Sequence, residues 1–336
     1  MVANVFETET GKNAFPWVGF ALPLLAFGVA PLIIWLHGGA YVAQVAGTAA
    51  IYALLAASLN HVTGTAGLLS LGHAAFFGIG AYAAALGSVR LGLPFIVTVP
   101  LAGLVAGLLG VILALPALRL VSIYFAVATL GLGEMIHLVL LNWVDLTRGP
   151  MGIRGIQGFE LFGLPLDGPL ATYLTIAAVV SVSVWVLHRL THSYYGTALR
   201  ALREDDQCAE AMGLNTVLLK AEAFGVSCFF AGIAGALLSH QVLYISPDSF
   251  RFSESILILA MVVVGGLGSL PGAVAGAVLL TLLPEVLRGI GDFRMIVVGV
   301  VMFVCILLLP KGLFGEISAL GLVRRQFGNG IGGWRR

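Results

Sequence analysis

Charge is what this sequence has least of. Only 10% of its 336 residues are Asp, Glu, Lys or Arg, against about 25% in a typical soluble domain. So few charges cannot cover a water-facing surface of that size. The 17 basic residues nearly balance the 16 acidic ones, so there is no basic field to attract nucleic acid. Cysteine is equally scarce. Cys208, Cys228 and Cys305 stand apart, with neither disulfide nor metal-ligand spacing, and read as small packing residues. A G-x-x-x-x-G-K-[ST] phosphate loop is missing, since Gly11-Lys12 is followed by Asn13 outside any Gly-rich loop. No nucleophile–base–acid set has suggestive spacing, so an enzyme is the reading these residues support least.

Apolar residues fill the space that charge leaves. The hydrophobic fraction is 59%, and glycine alone counts 44. A bilayer core of about 30 Å takes about 20 apolar residues in helix. Ten runs qualify: 15–36, 39–60, 70–89, 94–118, 121–142, 169–188, 220–244, 253–268, 270–288 and 293–310. The expected fold is all-α, a polytopic transmembrane helical bundle. Residues 1–14 form an N-terminal segment, 15–313 the transmembrane domain and 314–336 a tail. The run 253–268 is short because GGLGSLPG interrupts the chain behind it. The residues before the first run include two glutamates and one lysine. This lacks the basic start of a secretory signal, so the run reads as a retained span.

Lys and Arg near span ends set orientation. With ten spans, Arg90, Arg148, Arg154, Arg251, Arg288 and Arg294 fall on one side and all other Lys and Arg on the opposite side. The richer side is cytoplasmic by this rule, and it holds both termini and the loop 189–219. Glycines spaced as GxxxG, at Gly103 and Gly107 and at Gly272 and Gly276, suit close helix packing. Gly265, Gly266 and Gly268 could instead break a helix beside a path.

Ionisable residues inside spans are costly and default to functional candidates. Glu134 is the foremost, with His137 three residues on and on the same helix face. Thr129 and His73 complete the polar set. With Gly265 and Gly266 they make up the candidate translocation path, although packing or helix-to-helix hydrogen bonds explain each of them as well. An ion-coupled secondary transporter would use Glu134 and His137 as a relay. A passive channel is a third class.

One charged stretch stands between two long apolar runs. In GTALRALREDDQCAEAMGLN, from Gly196, a short helix over Gln207–Met212 would be capped by Asp206 and ended by Gly213. Spacing alone leaves it a solvated loop helix as readily as a docking element. The stretch resembles the cytoplasmic loop of ABC importer permeases, above all the branched-chain amino acid (LivM/LivH-like) family. The matching positions are Arg200, Ala201, Arg203, Glu204, Glu210, Ala211, Gly213 and Asn215. LLSLGHAAFFGIGAYAAAL from Leu68, YFAVATLGLGEMIHLVLLNW from Tyr124, LTRGPMGI, ISPDSF and MVVVGGLGSLPGAVAGA resemble further blocks of the same family. Together the resemblance covers about 50–315. It departs at Arg148 and Met151, where the family more often reads Gly-Gly-Pro-Asn-Gly.

The resemblance implies an inner-membrane permease subunit without an ATPase site of its own. The loop helix would couple to the motor through Arg200, Arg203, Glu204, Glu210, Ala211, Gly213 and Asn215. It further implies two ATP-binding subunits holding ATP and Mg, a second permease and an extracytoplasmic solute-binding protein. No cofactor is expected in this chain. Branched-chain amino acids are the expected cargo, with urea, short amides or aromatic acids as alternatives carried by near relatives.

Overall fold

The computed structural model describes residues 39–117, 122–161, 164–165, 168–308 and 312. Seven of its helices are long and apolar enough to cross a membrane. Nine of the ten expected runs fall largely within the described residues, and each contains a helix. They are α1 (Ala40–Asn60), α2 (His73–Leu91), α3 (Phe95–Ala114), α4 (Ser122–Asn142), α6 (Pro169–Thr191), α9 (Thr216–Val242), α10 (Phe252–Gly265), α11 (Leu270–Val286) and α12 (Arg294–Leu308). The run 15–36, the N-terminal segment and the tail 314–336 lie outside the described residues.

Helix α1 is the central post. It packs against α6, α9, α10 and α11 and is buried almost throughout its second half. A π-helical turn, His61–Thr65, extends it. At its other end the Tyr41 hydroxyl donates to Glu285 at the end of α11, and the Arg288 guanidinium lies 4.9 Å from the Tyr41 ring centroid.

Helices α2, α3 and α9 form a second body, held through missing side chains. A Cβ on Gly80 would lie 2.3 Å from the Cα of Gly232, and one on Gly235 would lie 2.1 Å from the Phe77 carbonyl oxygen. Gly103 and Gly107 admit Phe229 in the same way. Lipid tails are as apolar as leucine, so span association rests on such close approach.

The segment 143–168 is the longest connection between spans. It holds a one-turn α5 (Val144–Thr147), a 3₁₀ turn over Gly149–Met151, and short strands β1 (Ile153–Arg154), β2 (Glu160–Leu161) and β3 (Leu164–Pro165). β2 and β3 pair antiparallel, and β1 pairs antiparallel with β4 (Tyr244–Ile245), which follows α9. Gln157 ties the loop down, because its N–H donates to Ser88 Oγ at 3.0 Å and its carbonyl meets His240 Nδ1 at 2.7 Å.

The chain after β4 does not stay at the end of the bundle. Phe250 packs edge-on against Phe77 and Tyr82. At about 1.5 Å per residue this is roughly 13–21 Å below the Leu91 end of α2. The stretch 243–251, which holds β4 and a 3₁₀ turn over Pro247–Phe250, therefore re-enters the bundle, and α10 starts at mid-depth. The short run expected at 253–268 is thus a half-helix of 14 residues, about 21 Å long, and Arg251 belongs to the re-entry rather than to a surface loop.

The glycine contacts make a direct test. Gly80→Leu should exceed the roughly 1–3 kcal/mol of an ordinary over-packing, because the obstacle is backbone. Gly131→Leu, with nothing within 4 Å of its Cβ, should change little. Thermal unfolding followed by fluorescence-detected gel filtration reads both. Equal melting of the two variants would remove the backbone-contact account.

Candidate functional site

Two short helices, not one, project from the end of the bundle where α6 stops. Ser193 caps α7 (Tyr194–Glu204) by accepting from the Gly196 N–H. Leu199 and Leu202 are buried on its inner face. Asp205 then adopts extended backbone (φ −159, ψ 116) and caps α8 (Asp206–Ala211). Its Oδ1 accepts from Gln207 N at 2.8 Å and Cys208 N at 2.9 Å. The expected cap, Asp206, is one residue off. Asp206 already lies in the helix, and its carboxylate takes the ammonium of Lys220 on α9, itself buried. Gly213, at φ +87, ends the segment. Its N–H reaches Glu210 O at 2.9 Å and Leu214 N reaches Ala209 O at 3.2 Å. Asn215 Oδ1 then accepts from Leu218 N at 3.0 Å to start α9.

The projection is fixed to the spans by one arginine. Arg203 Nη1 donates to the Gly64 carbonyl at 2.6 Å. Its stem lies over Gly67, where a Cβ would meet Arg203 Cγ at 2.8 Å. A Cβ on Gly268 would lie 3.2 Å from the same Nη1. Asn60 closes the junction, since its Oδ1 accepts from Gly268 N at 2.8 Å. The end of α1, the break between α10 and α11, and α7 therefore meet at one point.

Among the coupling candidates, Arg203 is exposed but commits its guanidinium to the Gly64 carbonyl, and Gly213 and Asn215 shape the chain. Arg200, Glu204, Glu210 and Ala211 are exposed, beside Met212 at 84% exposure. The projection offers two carboxylates, a guanidinium and an apolar tip to whatever covers it.

The path candidates do not gather in one place. His73 is fully buried, with Nε2 2.8 Å from Ser58 Oγ. Thr129 is also fully buried. Its Oγ1 accepts from Leu71 N at 3.0 Å and donates to Ala126 O at 2.9 Å. Glu134 is half-buried and borders a cavity of about 10 Å³ with Gly133, Phe250, Phe252 and Ser255. That holds about one water. His137 Nε2 is buried without a partner, and no hydrogen bond or ion pair joins it to Glu134 among the described residues. Gly265 sits backbone to backbone with Gly272, 2.1 Å separating its added Cβ from the Gly272 oxygen. Gly266 (φ +117) turns the chain after α10. The same α10 carries a carboxylate the sequence reading passed over: Glu254 accepts from the Tyr52 hydroxyl.

The Asp205 cap has a pH signature. Hydrogen bonds from the Cys208 and Gln207 N–H groups hold its carboxyl below the ordinary value. A depressed native value gives stability that is full above the unfolded value of about 3.9 and is lost as pH falls through the native one. Hydrogen exchange at Gln207 and Cys208 should accordingly be insensitive to the cap between pH 5 and 8 and lose protection below. Asp205→Asn should keep protection and abolish the acid loss, whereas Asp205→Ala should lose protection at every pH. Identical exchange in all three proteins would exclude the cap.

The geometry agrees with comparison to known proteins. Residues 41–307 match the family described as branched-chain amino acid transport system, permease component. The permease LivM of Salmonella typhimurium is 38% identical over 286 residues, covering 78% of this chain and 67% of that protein. LivM of Escherichia coli is 37% identical over the same shares. LivH of Salmonella typhimurium is 24% identical over 79% of this chain and 91% of its own. No solved structure matches. A bundle whose helices meet through glycine, whose loop projects two capped helices, and whose residues 41–307 fit one family model belongs to the branched-chain amino acid permease family.

Proposed function

We propose that the chain is the membrane-spanning subunit of an ATP-driven importer of branched-chain amino acids, with α7 and α8 in the cytosol as the seat of an ATP-binding subunit. The observation that carries this is the junction at Arg203. A load applied to α7 and α8 reaches the end of α1 and the α10–α11 break through one guanidinium and one asparagine. Lys220 and Asp206 bind α8 to α9 as well. Two long helices and a helix break therefore share the motion of one projection.

Both termini would then be cytosolic. The motor is supplied by two separate ATP-binding chains that hold ATP and Mg, because this sequence has no phosphate loop. A second permease subunit would complete the path, and a solute-binding protein would deliver cargo to the opposite side. The relatives' names support leucine, isoleucine and valine as cargo. A more distant relative, from Yersinia pseudotuberculosis, is named as an autoinducer 2 import permease, so related chains serve other cargo.

Proteoliposomes holding the complete assembly should accumulate leucine with ATP inside, and dissipating the proton gradient should not stop them. Glu210→Ala combined with Gly213→Arg should abolish uptake and ATPase stimulation together. Arg203→Gln should keep the ATP-binding subunits attached while lowering uptake at least tenfold. Uptake that follows the proton gradient, or survives the double variant, refutes the reading.

A further inference from the structure

The re-entrant stretch poses an electrostatic problem. Phe250 sets residues 247–251 well below the end of α2. Glu254, four residues on, reaches Tyr52, twelve residues into α1. At this depth Arg251 and Asp248 turn away from the bundle. Their side chains are 59% and 58% exposed, and they pair with each other, Arg251 Nε lying 3.0 Å from Asp248 Oδ1. Ser249 and Ser253 are exposed beside them. Hydrocarbon tolerates neither irregular backbone nor open charge, which occur at depth only against protein or water. Pro247 and Phe250 are buried, so the stretch is pinned on its inner side and presents its charges outward by design of its packing. Glu134 and Ser255 meet in the small cavity just behind Phe250 and Phe252, so the polar character continues onto α4.

We propose that this face borders the aqueous translocation path, and that Arg251 and Asp248 receive the two charged ends of an amino acid, the guanidinium taking the α-carboxylate and the aspartate the α-ammonium. The identity of the ligand rests on the permease reading above. A zwitterion carries the same two charges as the pair it separates. Exchange of partners leaves every charge matched at each stage, which a cation or anion alone would not allow. The bidentate fork of arginine suits a carboxylate. The pair is exposed, and among the described residues its side chains hydrogen-bond only to each other, so opening it breaks no other side-chain hydrogen bond there.

Single-cysteine proteins, with Cys208, Cys228 and Cys305 replaced, test the face and the ligand separately. In the assembly with its ATP-binding subunits and binding protein, Arg251→Cys should react with a charged, membrane-impermeant methanethiosulfonate. Leu104→Cys, on the exposed face of α3, should not. Arg251→Gln should raise the KM for leucine uptake at least tenfold while ATPase stimulation stays within twofold. Arg251→Asp with Asp248→Arg should recover uptake to within threefold. An unreactive Arg251→Cys in both nucleotide states overturns the path assignment, and an unchanged KM for Arg251→Gln overturns the recognition. If the wild-type assembly moves no leucine, the permease reading fails instead. Wild-type uptake alongside either negative result leaves that reading standing and removes only this site.

Discussion

A backbone N–H or C=O at bilayer depth finds no partner in hydrocarbon, so each interruption of a spanning helix must be met by the protein itself. This chain interrupts its helices repeatedly, and at four places a side chain from a distant element answers. Leu71 N, ahead of α2, reaches Thr129. Ala74 N, in the first turn of α2, reaches Ser255 at 3.0 Å. Gly268 N, between α10 and α11, reaches Asn60. The Gly64 carbonyl, at the π-helical turn, receives Arg203. Each bond runs between elements far apart in sequence. Satisfying the backbone and assembling the bundle are therefore one event.

That constraint explains what could be read from the sequence. Hydropathy alone located the seven helices long and apolar enough to cross a membrane, because a helix that crosses lipid must be apolar for most of its length, while the full count of ten is not matched among the described residues. The charged projection was legible too, since Asp205, Gly213 and Asn215 are local signals whose partners lie within four residues. The one-residue error at the cap has a local cause. Adjacent aspartates are chemically alike, and only the tertiary partner Lys220 distinguishes the one that pairs across helices from the one that caps. Polar residues within spans were less legible. A threonine that caps a distant loop and one that lines a path look identical in sequence. Thr129 and His73 were picked out for their cost, and the bonds they make to Leu71 and Ser58 depend on neighbours 58 and 15 residues away.

Glycine carries the complementary half of the design. Where backbones approach within the reach of a Cβ, as at Gly80 with Gly232 and Gly265 with Gly272, two helices move as one body. The pattern GxxxG announced this at Gly103 and Gly272. The meeting of Gly64 with Gly268 had no such announcement, since a Cβ on Gly64 would lie 2.4 Å from Gly268 N across 204 residues of chain. The contact is legible only in three dimensions, and it places the helix break directly above the projection.

The short α10 shows why depth matters more than span count. A helix of about 21 Å cannot cross a core of about 30 Å, so the preceding chain must supply the remainder as irregular structure. Its inner side is sealed by Phe250 between Phe77 and Tyr82, and β4 anchors its start to β1. Its outer side carries Asp248 and Arg251. At a helix centre each such charge costs about 2.5–3.5 kcal/mol on insertion scales, more than a surface ion pair returns. Packing can offset that cost only if the charges meet water or another polar surface. Charged side chains at mid-depth, on the face the chain does not use for its own packing, therefore call for water or a polar surface against them.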